Sequence, residues 1–316
     1  MKLMRILEYL NIPHHCKKYG LSLWQCPPFL FLIMGIIICL VSVLLYSIGT
    51  KYITEPRIVA LIILIIASIL LILTGVITNS FEKLAEANRM KSEFISIASH
   101  QLRAPISNLA WTLEILMSGK FGKIEKEQME YFKILKENSD RMKDLVRDLL
   151  IVSRIESAKL FLKKEDFSLE ELTKEVVREF EPFARASNCS IEFSVQENLP
   201  KILGDRYQIR QVIENLLDNA IRYTKGKGKV KITLKKEKKF VHFEIEDNGV
   251  GIPKEDQKFI FQKFFRASNV LKYKTQGTGL GLFIAKAIIE RSGGKIGFKS
   301  QEGVGSTFWF KLPTKK

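Results

Sequence analysis

One histidine in the chain has neighbours that favour covalent chemistry. His100 lies in the stretch SEFISIASHQLRAPISNL, whose apolar residues recur at helical spacing. A single histidine on a helix is usually a structural residue. Here Arg103 and Pro105 follow within five residues, and the proline removes a backbone donor, which loosens the helix just beyond the histidine. A neutral imidazole is a competent nucleophile at about neutral pH, so His100 is a candidate acceptor of a transferred group.

Two glycine clusters near the C-terminus could hold a phosphorylated ligand. The first, Glu246–Ile252 (EDNGVGI), follows a strand-like stretch, and the second, Gly277–Leu282 (GTGLGL), opens a predicted helix. Glycines let the backbone approach a ligand, and the N–H groups at a helix N-terminus favour phosphate. Turns of this kind are also a purely structural device, and no βαβ unit follows the second cluster, which excludes a dinucleotide-binding fold. The clusters therefore indicate a nucleotide site only in combination with other residues.

The histidine must be positioned by long helices. Residues 81–118 contain no glycine, and their one proline is Pro105. This pattern predicts a long amphipathic helix with a kink at the proline. The break SGKFGK, residues 118–123, precedes a second helix over residues 125–159, where apolar or amide side chains recur at spacings of three and four. These positions are Leu135, Asn138, Met142, Leu145, Leu149 and Val152. Such a heptad seam predicts a helical hairpin that self-associates into a four-helix bundle, since two helices bury too little alone.

The glycine clusters belong to a segment with an α/β pattern. Helices are predicted over residues 169–186 and 206–223, and a strand over 190–195. Two alternating strands carry Val230, Ile232 and Leu234, and then Val241, Phe243 and Ile245. A helix from the second glycine cluster to about Ser292 completes the pattern.

The stretch around His100 resembles the phospho-acceptor box of sensor histidine kinases, F-x-x-x-x-S-H-E-L-R-T-P. Matching residues are Phe94, Ser99, His100, Leu102, Arg103 and Pro105. The sequence departs from that pattern at Gln101, where the family has an acidic residue, and at Ala104, where it has Thr or Asn.

Four further stretches resemble the ATP-binding domain that histidine kinases share with gyrase, Hsp90 and MutL. They are ENLLDNAIRYT (the N box), DNGVGI (the first glycine box), FQKFFR (the F box) and GTGLGL (the second glycine box), and the terminal GVGSTFWF is similar to the family's closing hairpin. Their order and spacing also fit, and the resemblance covers residues from about 82 to 316. It implies an α/β sandwich of the GHKL (Bergerat) fold.

The resemblance also implies roles for particular residues. The phospho-acceptor is His100, with Gln101 beside it; Asp247 accepts a hydrogen bond from the adenine amino group; Asn215 and Asn219, four apart on one helix face, hold Mg²⁺ through their oxygens. The remaining predicted ATP-binding residues are Arg222, Tyr223, Gly249, Gly251, Phe264, Gly277, Gly279, Leu280, Gly281 and Thr307. Residues 267–276 are predicted to form a lid over ATP. A solvated arginine and a core tyrosine remain the alternative interpretations of Arg222 and Tyr223.

Two uncharged apolar runs predict a transmembrane hairpin. The first, residues 29–48, is about 30 Å long as a helix, which matches the hydrocarbon core, and the second covers residues 58–78. A cleaved signal peptide is disfavoured because the run is long and no small-residue cleavage site follows. Basic residues flank both ends of the pair, which predicts two spans with both termini in the cytoplasm at the inner membrane. Nine residues from Gly49 to Arg57 are too few for a ligand pocket, which favours sensing within the membrane, with a membrane-protein co-sensor as a possible partner.

Charge and cysteine content exclude several other classes of protein. The net charge is +16, and residues 225–239 alone carry eight Lys and one Glu. These lysines lack interleaved aromatics and alternate along a strand, which favours a solvated face over a nucleic-acid site. The four cysteines, Cys16, Cys26, Cys39 and Cys189, lie far apart, so neither a disulfide framework nor a zinc site is predicted.

These observations predict a multidomain chain. Residues 1–27 form a cytoplasmic segment, 28–80 the transmembrane hairpin, 81–165 the dimerisation and phosphotransfer domain, and 166–316 the catalytic domain. The predicted function is ATP-dependent autophosphorylation of His100 and transfer to an aspartate of a response regulator. A catalytically weak ATP-binding scaffold is an alternative, favoured by Gln101. An ATPase of the GHKL type is another, disfavoured because Asn215 stands where those enzymes carry a glutamate base.

Overall fold

The computed structural model describes residues 27–53, 55–157, 160–224, 226–271 and 277–314. The predicted cytoplasmic segment, residues 1–27, falls outside this part except for its last residue, as do five residues of the predicted lid, 272–276. The chain divides into two compact units, one of residues 1–98 with 156–158 and the other of residues 99–155 with 159–316.

The first unit contains two long apolar helices. Helix α1 is Pro27–Tyr52, and helix α2 is Pro56–Met117, which continues into the second unit. Within the described residues, these two helices are long and apolar enough to cross a membrane.

The connection between α1 and α2 is shorter than predicted. Helix α1 continues past Gly49, since the N–H of Ile53 donates to the carbonyl of Gly49 over 2.9 Å. The hydroxyl of Thr50 also donates to the carbonyl of Tyr46, over 3.0 Å. Gly49 also allows close packing of the two helices, since a Cβ there would lie 2.6 Å from a methyl carbon of Val59. The predicted nine-residue loop is therefore wrong, and the two helices are separated only by residues 53–55.

The second unit begins with a helical hairpin formed by the end of α2, from residue 99, and helix α3, Lys126–Glu156. The hairpin itself was predicted, but its buried row differs from the predicted seam. The buried residues at spacings of seven are Ser99, Ile106 and Leu113 in α2 and Ser139, Val146 and Ser153 in α3. The predicted seam residues Leu135, Met142 and Leu145 are instead exposed in the single chain, together with Leu102 and Leu109 of α2.

The rest of the second unit, called the C-terminal domain (residues 160–314), is an α/β sandwich. Its elements are β1 Glu165–Phe167, α4 Leu169–Ala186, β2 Cys189–Val195, β3 Ile202–Gly204, α5 Arg206–Arg222, β4 Gly228–Glu237, β5 Phe240–Asp247, α6 Ser268–Leu271, α7 Gly281–Arg291, β6 Lys295–Gln301 and β7 Gly305–Pro313. The five-stranded sheet has the order β2-β4-β5-β7-β6, with β2 and β4 parallel and the other pairs antiparallel. Strands β1 and β3 form a separate pair. Apart from this pair, strand β6 and short α6, these helices and strands were predicted.

The sandwich is held by one hydrophobic core between the sheet and its helices. Alternate strand residues such as Ile232, Phe243 and Phe310 face inward and are fully buried, as period-two patterning requires. The rings of Phe243 and Phe310 stack with centroids 4.6 Å apart. Side-chain caps begin two of the helices: Ser168 accepts from the N–H of Glu171, and Asp205 from that of Gln208. The helices and loops that carry the predicted boxes are thereby fixed relative to the sheet.

Candidate functional site

A cavity of about 890 Å³ lies in the second unit, within the size range of about 300–1,000 Å³ that is typical of small-molecule sites. Its lining includes nine of the predicted ATP-binding residues: Asn215, Asn219, Arg222, Tyr223, Asp247, Gly251, Gly277, Gly279 and Gly281. These residues come from α5, from the end of β5 and from the turn that opens α7. The N box and both glycine boxes therefore meet at one place.

Four other predicted ATP-binding residues do not line the cavity. Gly249 and Leu280 are buried directly beside lining residues. The side chain of Phe264 is exposed, and the residue has a φ of 61°, so its side chain points away from the core. Thr307 lies on the opposite face of the sheet.

The placement of Thr307 is a correction by one residue. The strand register pairs Asp247 with Ser306, so Ser306 shares the inner face with Asp247 and Thr307 faces outward with Trp309 and Lys311. Ser306 lines the cavity, and its N–H donates to Asp247 Oδ1 over 3.2 Å. A shift of one position along a strand moves a side chain to the other face. Ser306, and not Thr307, therefore lines the cavity, together with Phe308 of the same strand.

Asp247 is held with its carboxyl in the cavity. Oδ1 accepts from the backbone N–H of Gly249 over 2.9 Å as well as from Ser306. Burial raises the pKa of Asp247 to about 6, and these two hydrogen bonds oppose the shift. An anchored, desolvated carboxylate at a strand end suits a directional bond to an amino group of a base.

Asn215 and Asn219 lie side by side on α5, as their spacing predicted. The side-chain nitrogen of Asn219 donates to Oδ1 of Asn215 over 3.0 Å. Among the described residues, no group of three or more His, Cys, Asp or Glu side chains is placed to hold a metal ion. Two amide oxygens fit Mg²⁺ better than most metals, because this ion prefers oxygen and keeps several waters while it binds phosphate.

Two glycines of the boxes pack closely against other parts of the chain. A Cβ at Gly251 would overlap the backbone of Gln301, and one at Gly281 would overlap the side-chain amide of Asn215. Close packing against the chain itself therefore favours glycine at these two positions. Gly277 differs, since a Cβ there would meet no atom closer than 3.9 Å.

Arg222 and Tyr223 end α5 at the cavity edge. The Nε of Arg222 donates to both carboxylate oxygens of Asp218 at 2.7 and 2.6 Å, and its guanidinium lies 5.6 Å from the ring centre of Phe183. The backbone carbonyl of Tyr223 accepts from the N–H of Val250 over 3.0 Å, which joins the N box to the first glycine box. Burial raises the pKa of the Tyr223 hydroxyl, so it is a hydrogen-bond donor at neutral pH.

Several lining residues were not predicted. Thr278 and Arg266 lie inside or beside predicted boxes, so the motifs themselves could have suggested them. A second group comes from α3 of the hairpin: Glu137, Asp140, Arg141, Asp144, Arg147 and Asp148. No sequence signal relates this helix to the glycine boxes, since about 130 residues separate Asp148 from Thr278.

His100 and Gln101 lie on α2 with exposed side chains, and neither lines the cavity. Their neighbour Ser99 is completely buried in the hairpin. The helix therefore presents the imidazole to solvent, where an external group can reach it.

Comparisons with known proteins agree with this arrangement. Residues 204–316 match the family model of histidine kinase-, DNA gyrase B- and HSP90-like ATPases, and residues 90–158 match that of the His kinase A (phospho-acceptor) domain. The sensory/regulatory protein RpfC of Xanthomonas campestris pv. campestris is 33% identical over 242 residues, covering 75% of this chain and 33% of RpfC. The chain thus spans about a third of the length of this relative.

Two solved structures are also similar. Full-length ShkA in complex with AMPPNP has a TM-score of 0.59 and 29% identity, covering 71% of this chain and 46% of ShkA. ThkA in complex with the response regulator protein TrrA has a TM-score of 0.51 and 27% identity, covering 74% of this chain and 66% of ThkA. With both domain models matched in order, the chain belongs to the sensor histidine kinases of two-component systems.

Proposed function

We propose that this protein is an ATP-dependent histidine kinase that phosphorylates His100 and passes the phosphoryl group to an aspartate of a response regulator. The observation that carries the proposal is the anchored carboxylate of Asp247, in one cavity with the paired amides of Asn215 and Asn219. Such a cavity can hold an adenine at one end and a triphosphate at the other. The exposed imidazole of His100 supplies an acceptor.

In the proposed reaction, an imidazole nitrogen of His100 attacks the γ-phosphorus of ATP. The bond from that phosphorus to the bridging oxygen breaks, ADP leaves, and the imidazole N–H proton passes to solvent. Gln101 is beside the histidine in sequence and can donate a hydrogen bond but cannot take this proton. The phosphoramidate then donates its phosphoryl group to a carboxylate of the regulator.

The chain's own residues would bind and orient ATP. Asp247 would accept from the adenine amino group, the N–H groups that begin α7 would face phosphate, and Arg222 and Tyr223 would contact phosphate from the end of α5. Asn215 and Asn219 would hold Mg²⁺, which neutralises charge on the triphosphate during transfer. Gly251 and Gly281 would support this geometry through close packing of the chain around the cavity.

We also propose that the protein acts as a homodimer with a regulator partner. The apolar residues exposed along the hairpin, such as Leu102, Leu109, Leu135 and Met142, would be buried in a four-helix bundle of two copies. The complex of the similar ThkA with TrrA supports a response regulator as the partner. No role for nucleic acid is proposed.

The inner membrane is the proposed location, with two spans and both termini in the cytoplasm. Helix α1 and the first part of α2 support it by their length and apolar character. With only residues 53–55 between the helices, a stimulus would be sensed in the membrane or through a membrane-protein co-sensor. In this proposal residues 1–27 form a cytoplasmic segment, 28–80 the membrane hairpin, 81–165 the dimerisation and phosphotransfer domain, and 166–316 the catalytic domain.

Incubation of the full chain, in lipid nanodiscs, with ATP radiolabelled on its γ-phosphate tests this function. We expect phosphate on the protein that is labile to acid and stable to base, and loss of this label in Asn219→Asp. ATP binding without labelling would favour the scaffold alternative, and release of free phosphate without labelling would favour an ATPase.

A further inference from the structure

The cavity has a second wall that belongs to the hairpin. Helix α3 contributes four acidic and two basic side chains to it, so this wall is net negative. The lining also contains the turn that opens α7, where the helix N-terminus favours an anion. An acidic helix face thus lines the same cavity as the turn at which phosphate is expected.

One hydrogen bond joins α3 to this turn. The hydroxyl of Thr278, within the second glycine box, donates to Asp148 Oδ2 over 3.3 Å, and the same hydroxyl oxygen accepts from the N–H of Leu280 over 3.1 Å. The side chain of Asp148 is only 19% exposed, and the Nε of Arg147 lies 4.0 Å from its Oδ1. Burial accordingly raises the pKa of the Asp148 carboxyl above its ordinary value.

A second contact joins the other end of α7 to α3. The guanidinium of Arg291 donates to the backbone carbonyls of Ile155 and Leu160, each over 2.9 Å. Ile155 lies in the last turn of α3, so Arg291 occupies the position where a cation stabilises a helix C-terminus. This contact lies at the opposite end of α7 from the glycine turn and does not face the expected phosphates.

The two contacts respond differently to a bound nucleotide. A triphosphate at the N-terminus of α7 places negative charge next to Asp148, and like charges in a partly buried site repel strongly. The Thr278 hydroxyl cannot direct its single hydrogen to Asp148 and to a phosphate oxygen at once. The Arg291 contact is made to neutral carbonyl groups, so the charge of a bound phosphate does not repel its acceptors.

We propose that Asp148 is a nucleotide-responsive clasp, which holds Thr278 and the second glycine turn against α3 in the absence of phosphate and is displaced by the phosphates of a bound nucleotide. The proposal rests on ATP binding in the proposed function. Docking of the glycine turn on α3 then weakens nucleotide binding, and nucleotide binding weakens this docking by the same factor. Removal of the carboxylate charge therefore tightens nucleotide binding.

The test compares nucleotide affinities of the full chain in lipid nanodiscs by calorimetric titration. Asp148→Asn keeps the size and an acceptor oxygen but removes the charge, and we expect it to bind ATP and ADP about tenfold more tightly. Adenosine affinity, which involves no phosphate, should stay the same. Asp148→Glu keeps the charge and should not tighten ATP binding, and Glu130→Gln, an exposed residue of α3 away from the cavity, controls for net charge.

Three results would overturn the clasp: unchanged or weaker ATP binding in Asp148→Asn, equal tightening for adenosine, or equal tightening in Glu130→Gln. If Asp148→Asn does not fold, Thr278→Val, which removes the hydroxyl and leaves the carboxylate, must loosen the glycine turn in hydrogen exchange without nucleotide. An unchanged exchange rate there would also overturn the clasp. Absence of ATP binding by the unaltered chain would instead overturn the proposed function together with this inference.

Discussion

The side-chain nitrogen of Asn219 lies 3.0 Å from Oδ1 of Asn215, one helical turn earlier, and donates a hydrogen bond to it. This bond fixes the rotation of both amides and orients their oxygens relative to the cavity. The amide of Asn215 packs in turn against Gly281, at the first turn of α7. The proposed magnesium site therefore depends on the absence of a side chain at Gly281.

This packing predicts that Gly281→Ala weakens binding of ATP in the presence of Mg²⁺ by displacing Asn215. We expect the increase in affinity that Mg²⁺ gives the unaltered chain to be largely lost in the variant, and titrations with Mg²⁺ and with a chelator measure it. Gly204→Ala is the matched control, because a Cβ there would meet atoms at 3.6 Å, an ordinary contact distance. An unchanged Mg²⁺ dependence in Gly281→Ala would contradict the role of Asn215.

Sequence patterns were sufficient for the elements that build the site. The spacing of Asn215 and Asn219, and the strand before Asp247, follow from local periodicity alone, and the main helices and strands of the C-terminal domain were predicted. Local sequence patterns do not predict the register between strands or contacts between residues far apart in the chain. Which of Ser306 and Thr307 faces the cavity depends on the pairing of β7 with β5, and the bond from Thr278 to Asp148 joins residues far apart in the chain.

The hairpin shows the same limit of local patterns. Apolar residues of α3 fall on two adjacent stripes, and periodicity alone does not decide which stripe faces α2. Small residues such as Ser99 and Ser139 occupy buried positions in the single chain, while Leu135 and Met142 remain exposed. Periodicity therefore identifies an apolar stripe on α3 but does not say whether that stripe meets α2 or a second copy of the chain.

Asp247→Asn is predicted to stabilise the fold and to weaken ATP binding. Burial raises the pKa of Asp247 to about 6 from 3.8, so the folded protein binds the proton more tightly and stability falls as the pH rises between these values. Above about pH 6 the charged group costs on the order of 1–3 kcal/mol, which Asn avoids while still accepting from Gly249 and Ser306. Thermal unfolding should show that Asp247→Asn is clearly more stable than the unaltered chain at about pH 8. The difference in stability should be smaller at pH 4.5, since roughly these two pH values bracket the titration.

The same variant should bind ATP about 10- to 100-fold more weakly, because a neutral oxygen replaces a charged acceptor for the adenine amino group and an added N–H₂ opposes it. Binding of GTP, which has no amino group at that position of the base, is the control and should change much less. Equal losses for both nucleotides would place the base elsewhere in the cavity.

Gln101→Glu is predicted to speed autophosphorylation of His100. A carboxylate can accept the imidazole proton, and such general-base assistance contributes about 10²- to 10⁴-fold in enzymes. Initial rates of labelling at saturating ATP measure the effect, with Gln101→Ala as the control for loss of the amide. An unchanged or slower rate in Gln101→Glu would contradict the argument from proton transfer.

Ala104 predicts little dephosphorylation of the regulator, because its methyl group cannot position a water molecule by hydrogen bonding. Mixing the full chain and ADP with phosphorylated regulator should release phosphate slowly, and Ala104→Thr should release it faster. Rapid release by the unaltered chain would show that a polar side chain at this position is not needed.

The central claim is that His100 accepts the γ-phosphoryl group of ATP bound in the cavity of the C-terminal domain. Its most direct test is labelling of His100→Gln with γ-labelled ATP, accompanied by a titration of ATP binding. We predict that acid-labile, base-stable labelling disappears while ATP affinity remains within about twofold, a change of less than 0.5 kcal/mol, because His100 does not line the cavity. Labelling that persists in His100→Gln would contradict the claim.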